Sequence, residues 1–148
     1  MKIAIGSDHA GFELKEYLQN ILIEDGVAVK DMGTDSHESV DYPDFALKVA
    51  QDVADKKSDF GILVCSSGIG MSMAANKVCG IRAALCHTPK SAQMCRLHNN
   101  ANILALGADY ISRDTAAEIM RMFISARFSD EPRHLRRVNK ISDIESLG

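Results

Sequence analysis

Residues 60–70, with the sequence FGILVCSSGIG, decide the fold. Phe60–Val64 is short, apolar and flanked by polar residues, which is typical of a strand buried in the centre of a sheet. Cys65 follows the strand, and Ser66-Ser67-Gly68-Ile69-Gly70 forms a glycine-containing turn that leads into a short helix predicted at Met71–Lys77. A buried strand, a turn and a helix in succession indicate an α/β sheet.

The same alternation extends in both directions along the chain. Four more strands are predicted, at Lys2–Gly6, Val27–Asp31, Ile81–Leu85 and Asn102–Leu106. Apolar residues at helical spacing mark the segments between and after the strands. These are Leu14, Leu18, Ile21 and Leu22; Phe45, Val49 and Val53; and Ala116, Ile119, Met120, Phe123 and Ile124.

Helix ends are marked by capping residues. Gly26 fits the position after the first helix, where a left-handed backbone costs glycine least. Thr88-Pro89 has the form of an N-cap followed by proline, and that helix should end near His98-Asn99-Asn100. A last helix is expected from Pro132 to about Ile144.

These elements predict a single three-layer α/β/α domain over residues 1–148. It has a five-stranded parallel, Rossmann-like sheet and a C-terminal helix. Ligands of such folds sit beyond the carboxyl ends of the strands. The loops after Gly6, Val64, Leu85 and Leu106 are therefore the ones in which to look for a site.

Composition narrows the class of function. The chain is 46% hydrophobic and 25% charged with a net charge of -3, which argues against nucleic-acid or anionic-membrane partners. No apolar run approaches the roughly 18 residues that a membrane span requires. The four cysteines form no CxxC pair and no signal peptide is expected ahead of the first strand, so we expect free thiols and a cytoplasmic protein.

Four local patterns can carry chemistry, and each also has a purely structural interpretation. Cys65 stands before a glycine-rich turn whose N–H groups favour a thiolate and a developing oxyanion, but a small buried residue would also fit there. Asp8 and His9 end the first strand and can hold sugar hydroxyls, although Asp8 can simply cap the next helix.

The other two patterns lie towards the C-terminus. His98 beside Asn99 can exchange protons near neutral pH, or can be an exposed helix end. Arg133 and Arg137 share one helix face and make a credible phosphate clamp, or a solvated basic face.

Taken together, the patterns resemble the successive blocks of the B-type ribose-5-phosphate isomerases, within the ribose/galactose isomerase family. The matching blocks run in colinear order over essentially the whole chain. They are Gly6-Ser7-Asp8-His9-Ala10-Gly11-Phe12, Asp41-Tyr42-Pro43, Cys65-Ser66-Ser67-Gly68-Ile69-Gly70, Ala75-Asn76-Lys77, Gly80-Ile81-Arg82-Ala83-Ala84, His98-Asn99-Asn100-Ala101-Asn102 and Arg133-His134-x-x-Arg137-Val138.

The resemblance implies interconversion of D-ribose 5-phosphate and D-ribulose 5-phosphate through a cis-enediolate, in the non-oxidative branch of the pentose phosphate pathway. It implies Cys65 as the base, Ser67 as an assisting hydroxyl, and His98 as the ring-opening group aided by Asp8. The substrate-binding residues that it implies are Asp8, His9, Tyr42, Ser66, Ser67, Gly68, Ile69, Gly70, Asn99, Arg133 and Arg137.

The resemblance further implies a homodimer whose sites are each built from both chains, and leaves open whether dimers pair into tetramers. No metal or cofactor is expected. One departure concerns Asp109, because some relatives have a phosphate-binding arginine there; Arg113, four residues on, is a candidate replacement. Another is that the glutamate base of some relatives has no counterpart at Ile69.

Two alternatives fit the same sequence. A related hexose-phosphate isomerase, acting on galactose 6-phosphate or allose 6-phosphate, would share these blocks, since pocket length is poorly encoded in sequence. A flavodoxin-like binding module would share the fold but would place a Ser/Thr-Gly-rich loop after the first strand, where this chain has Asp8-His9.

Overall fold

One five-stranded parallel sheet organises the chain, in a computed structural model that describes all residues from Met1 to Gly148. The strands are β1 (Lys2–Ser7), β2 (Ala28–Asp31), β3 (Phe60–Cys65), β4 (Ala83–Leu85) and β5 (Ile103–Gly107). Their order across the sheet is β2-β1-β3-β5-β4, so β3 is central as its apolar sequence predicts. The chain leaves β1 first towards β2 and then towards β3, and ligands bind at such a switch point.

Six α-helices cover the sheet. They are α1 (Phe12–Glu24), α2 (Tyr42–Ala54), α3 (Ile69–Ala75), α4 (Pro89–Asn99), α5 (Arg113–Ser125) and α6 (Pro132–Ile144), and a short 3₁₀ turn follows at Glu145–Leu147. The predicted three-layer α/β/α fold is confirmed. No helix is long and apolar enough to span a membrane.

The core is divided in two by the sheet. Alternate residues of each strand point to opposite faces, so Ile62 and Val64 pack with α1, α4 and α5, whereas Leu63 and Cys65 pack with α2 and α3. The last helix, α6, packs against α4 and buries only His134 and Val138. Its far end reaches the turn before β4, where the Gly80 N–H donates to Glu145 Oε1 at 2.7 Å.

Several predicted boundaries were wrong by one to three residues. β1, β3 and β5 each continue one residue further than predicted, so Cys65 is the last residue of its strand and not the first of the loop. β4 begins at Ala83 because the Arg82 N–H donates to the Asn102 side chain instead of to a neighbouring strand. α3 begins at Ile69, two residues early, since Gly68 at φ +74° turns the chain directly into it.

Capping was predicted more accurately. Gly26 has φ +78° immediately after the first helix, as expected. Thr88 caps α4 by accepting from the Ser91 N–H, and Asn100 ends that helix in the left-handed region at φ 47°. α2 starts earlier than predicted, at Tyr42, because Pro43 is compatible with the first helical turn.

A buried ion pair links α2 to the edge of the sheet. Asp52 is 5% exposed and is bonded to the Lys30 ammonium and, at 2.6 Å, to the Ser58 hydroxyl. Burial alone would raise the pKa of the Asp52 carboxyl, but these two donors outweigh it and hold the pKa below its ordinary value. The ionised form is therefore stabilised by folding.

We predict that Asp52→Asn lowers the free energy of unfolding by about 1–2 kcal/mol at pH 7, because the Lys30 ammonium keeps no charged partner there. A carboxyl whose pKa falls on folding contributes stability above its unfolded pKa of about 4, and loses it as pH falls through the folded value. In urea titrations, the difference in free energy of unfolding between Asp52→Asn and the wild type should thus become smaller below about pH 4. Asp55→Asn, at an exposed carboxylate just after the end of the same helix, is the control; an equal effect there would contradict the role of the buried pair.

Candidate active site

Cys65 ends the central strand at the carboxyl edge of the sheet. Its side chain is 4% exposed, and the Gly68 N–H donates to its sulfur at 3.1 Å. Ser67 Oγ accepts from the Ile69 N–H at 3.2 Å, which leaves the Ser67 hydroxyl proton free to be donated. The Gly70 N–H has no acceptor in the chain. The loop therefore offers a thiol, a hydroxyl and a free amide within six residues.

Two positions of this loop require glycine, because neighbouring residues leave no room for a side chain there. A Cβ on Gly68, which has φ +74°, would lie 2.6 Å from Leu85 Cδ1 and 2.8 Å from the carbonyl carbon of Leu106. A Cβ on Gly70 would lie 2.6 Å from the ring of Tyr42. Tyr42, the first residue of α2, therefore lies directly over the loop, as its assignment to the site requires.

The end of β1 brings Asp8 and His9 to the same edge. Asp8 is 7% exposed; its N–H donates to the Val64 carbonyl at 3.2 Å and its Oδ1 accepts from the Gly11 N–H at 3.0 Å. The expectation that Asp8 caps α1 is wrong, because the N-cap of α1 is Gly11 and no side chain caps the helix. Asp8 instead closes the turn before the helix, and its second carboxylate oxygen remains available to a ligand.

His9 reaches across to the loop ahead of α2. Its Nδ1 accepts from the Val40 N–H at 3.2 Å. An Nδ1 that accepts a hydrogen bond carries no proton, so we assign the ring proton to Nε2, which makes His9 a donor on its other side. The same bond anchors the segment that leads into Tyr42.

His98 and Asn99 lie at the opposite edge of the sheet. They form the last turn of α4, which starts beyond the carboxyl end of β4 and runs back against the strands. Arg82, which precedes β4, donates from Nε to the carbonyls of Asn99 at 3.1 Å and Asn100 at 2.9 Å. With a helix of 11 residues between the two edges, His98 is about 15 Å or more from Cys65 within one chain.

Arg133 and Arg137 lie beside His98 on the first two turns of α6. Both side chains are exposed, and Arg133 Nε donates to Glu131 Oε2 at 2.8 Å. Between them the His134 ring contacts the His98 ring, with centroids 4.3 Å apart. The structure therefore gathers the predicted residues into two groups: Cys65, Ser66, Ser67, Gly68, Ile69, Gly70, Asp8, His9 and Tyr42 at the carboxyl edge, and His98, Asn99, Arg133 and Arg137 at the amino edge.

Comparison with known proteins bears on this arrangement. The sequence matches the Ribose/Galactose Isomerase family over residues 3–141. The chain belongs to this family. As a family member it is an isomerase, and a flavodoxin-like binding module is not supported.

Individual members of the family are similar along nearly their whole length. Ribose-5-phosphate isomerase B of Escherichia coli (strain K12) is 46% identical over 144 residues, which is 97% of this chain and 96% of that protein. The solved structure of Clostridium thermocellum ribose-5-phosphate isomerase B is 50% identical, with a TM-score of 0.98 over 99% of both chains. That of Thermotoga maritima is 53% identical, with a TM-score of 0.94 over 96% of this chain and 97% of that one.

Two features of this family member were missed at the sequence level. Gly11 and Gly107 pack against the Cys65 loop and its strand, because a Cβ on Gly11 would lie 2.4 Å from the Val64 carbonyl oxygen and one on Gly107 2.6 Å from that of Ser67. The sequence assigns no separate role to His134 within the Arg133-His134-x-x-Arg137-Val138 block. Its spacing of four from Val138 was the available signal, since these two form the buried stripe of α6.

Arg113 does not stand free as a replacement for the arginine that some relatives have at Asp109. Its Nη2 donates to Glu13 Oε2 at 3.3 Å and its guanidinium lies over the Tyr17 ring. Arg113 and Asp109 do line one cavity of about 200 Å³ at the carboxyl edge. The Asp109 backbone is used structurally, because its N–H donates to the Ser66 carbonyl at 3.0 Å.

We predict that Gly68→Ala destabilises the protein and strongly lowers turnover, because the new methyl group has to displace the loop that carries Cys65 and Ser67. Gly26→Ala is the matched control: it imposes the same left-handed strain, about 1–2 kcal/mol, where nothing lies within 4 Å. Chemical denaturation and isomerase assays should show loss of stability in both variants but loss of turnover only in Gly68→Ala. Equal turnover in the two would show that the loop tolerates displacement.

Proposed function

We propose that this isomerase interconverts D-ribose 5-phosphate and D-ribulose 5-phosphate, with Cys65 as the base. The observation that carries the proposal is the loop at the end of β3, where the Cys65 sulfur, the free proton of Ser67 and the unbonded Gly70 N–H lie together. The relatives named above as ribose-5-phosphate isomerase B, at 46–53% identity, support the pentose phosphate as substrate.

The chemistry is a proton transfer between adjacent carbons. The Cys65 thiolate removes the proton from C2 of the open-chain aldose, and the electron pair moves to the carbonyl oxygen on C1 to give a cis-enediolate. Returning the proton to C1, while the proton on O2 passes to O1, gives the ketose. The Ser67 hydroxyl and the Gly70 N–H donate to the enediolate oxygens, where charge develops in the transition state.

Ring opening precedes this transfer and needs a separate acid–base group. His98 is exposed and can exchange protons with a ligand. The neighbouring Arg133 and Arg137 can bind a phosphate dianion. We assign His98 to ring opening, and Asp8, His9, Tyr42 and Asn99 to the sugar hydroxyls.

The two groups of residues can meet only between chains. Because about 15 Å or more separates Cys65 from His98 within one chain, we propose a homodimer in which the amino-edge group of each chain completes the carboxyl-edge group of its partner. Four thiols that form no disulfide fit a reducing compartment, and we propose the cytoplasm. No metal takes part in the proposed steps.

We predict that Cys65→Ala and His98→Asn fail at different steps. Ribulose 5-phosphate cannot close a five-membered ring because its O5 carries the phosphate, so exchange of its C1 hydrogen with deuterated water needs the base alone. Cys65→Ala should lose both this exchange and turnover of ribose 5-phosphate, by about a hundredfold to ten-thousandfold. His98→Asn should lose turnover of ribose 5-phosphate but keep the exchange.

Both rates are measured by proton NMR on the same samples. Normal exchange in Cys65→Ala would overturn the assignment of the base. Faster turnover of galactose 6-phosphate or allose 6-phosphate than of ribose 5-phosphate would overturn the pentose substrate.

We predict that the two inactive variants complement each other when they are co-expressed. A mixed dimer has one site without either group and one with Cys65 from one chain and His98 from the other. Random pairing makes half of the dimers mixed, so about a quarter of wild-type turnover should return. No recovery in dimers shown by mass spectrometry to be mixed would contradict sites built from both chains.

A further inference from the structure

The face of His98 is covered by a second imidazole that the proposed mechanism does not use. The rings of His98 and His134 have centroids 4.3 Å apart and planes inclined by 37°. His98 is exposed at the end of α4, whereas His134 is 5% exposed at the base of α6. His98 is therefore the solvent-facing partner of this contact, and His134 is the buried one.

Hydrogen bonds through Ser129 connect His134 to the end of α4. Its Nδ1 lies 2.7 Å from Ser129 Oγ, and the Ser129 N–H donates to the Leu97 carbonyl at 3.1 Å. Leu97 directly precedes His98, so α6, the segment before it and the end of α4 form one connected unit. Ser129 Oγ also accepts from the Glu131 N–H at 3.4 Å, so Ser129 links the first turn of α6 both to the His134 ring and to the end of α4.

The electrostatic surroundings favour the uncharged form of His134. Burial lowers the pKa of His134, and the nearby His98, Arg133 and Arg137 lower it further, with Glu131 alone opposing them. A charged imidazolium here would add to two guanidinium groups and repel a protonated His98. An uncharged ring can remain against His98 while His98 gains and loses its proton.

We propose that His134 is a positioning residue for ring opening, whose ring plane holds His98 in the one orientation that reaches the sugar. This rests on the proposed function, because it assumes that His98 performs the acid–base step. An exposed histidine at a helix end otherwise samples several rotamers, and a misplacement of about 1 Å can cost a large factor in rate. His134 contributes by restricting His98 and does not itself touch the substrate.

Two substitutions distinguish the contribution of the His134 ring plane from that of its hydrogen bond to Ser129. His134→Phe keeps an aromatic plane and loses the bond to Ser129, whereas His134→Gln keeps a polar group and loses the plane. We expect kcat on ribose 5-phosphate to fall by about tenfold in His134→Gln, with KM nearly unchanged, and to stay within about threefold of wild type in His134→Phe.

Val138→Ala is the matched control. Val138 is the other buried residue of α6, one turn further along, so its truncation loosens the docking of the helix while the pair of imidazole rings is kept. We expect Val138→Ala to lower the melting temperature but to leave kcat unchanged. A fall in kcat in Val138→Ala equal to that in His134→Gln would show that helix docking, and not the contact with His98, is what matters.

Exchange at C1 of ribulose 5-phosphate keeps this test apart from the test of the proposed function. We expect the exchange to be normal in all three variants, since Cys65 is untouched. If His134→Phe is as impaired as His134→Gln, or if His134→Gln is normal, the positioning role is wrong while the proposed function stands. If the wild-type protein shows neither exchange nor turnover, the proposed function itself fails.

Discussion

The carboxyl end of β3 is held from both sides by backbone contacts that leave no room for a side chain. Gly11, after β1, lies against the Val64 carbonyl, and Gly107, at the end of β5, lies against the Ser67 carbonyl. The N–H groups of Asp8, Ala108 and Asp109 donate to the carbonyls of Val64, Cys65 and Ser66. Cys65 is therefore placed by main-chain geometry on both flanks, and a site built on such elements keeps its reacting atoms in position without side-chain rearrangement.

The same parallel topology divides the candidate site between the two edges of the sheet. In a βα unit each helix returns the chain to the amino edge, so residues at the end of α4 cannot lie beside residues at the end of β3. His98, Arg133 and Arg137 consequently gather far from Cys65. The proposed homodimer, in which each site is built from both chains, follows from this separation.

Much of the fold could be predicted because its signals are local. Apolar runs, helical spacing and the caps at Gly26, Thr88 and Asn100 depend on neighbouring residues, and the structure follows them closely. What could not be predicted depends on contacts between distant segments. The late start of β4 comes from the Asn102 side chain, and the roles of Gly11 and Gly107 come from strands that meet only in the folded sheet.

For the candidate site, residue types could be predicted but surroundings could not. Arg133 and Arg137 were identified from their spacing, yet only the structure shows that the residue between them is buried against His98. That placement has an electrostatic consequence. Arg133, Arg137 and His98 are cationic or can become so, and Glu131 is the one carboxylate that counters their effect on His134.

The positive groups of such a cluster repel one another, and an anion relieves that repulsion. In the proposed function, a phosphate would therefore gain affinity from groups that touch no reacting carbon. Binding energy gained at a remote phosphate can then be used to orient C1 and C2 at Cys65. An uncharged His134 limits the repulsion in the meantime, and this explains why a histidine can be buried beside two arginines.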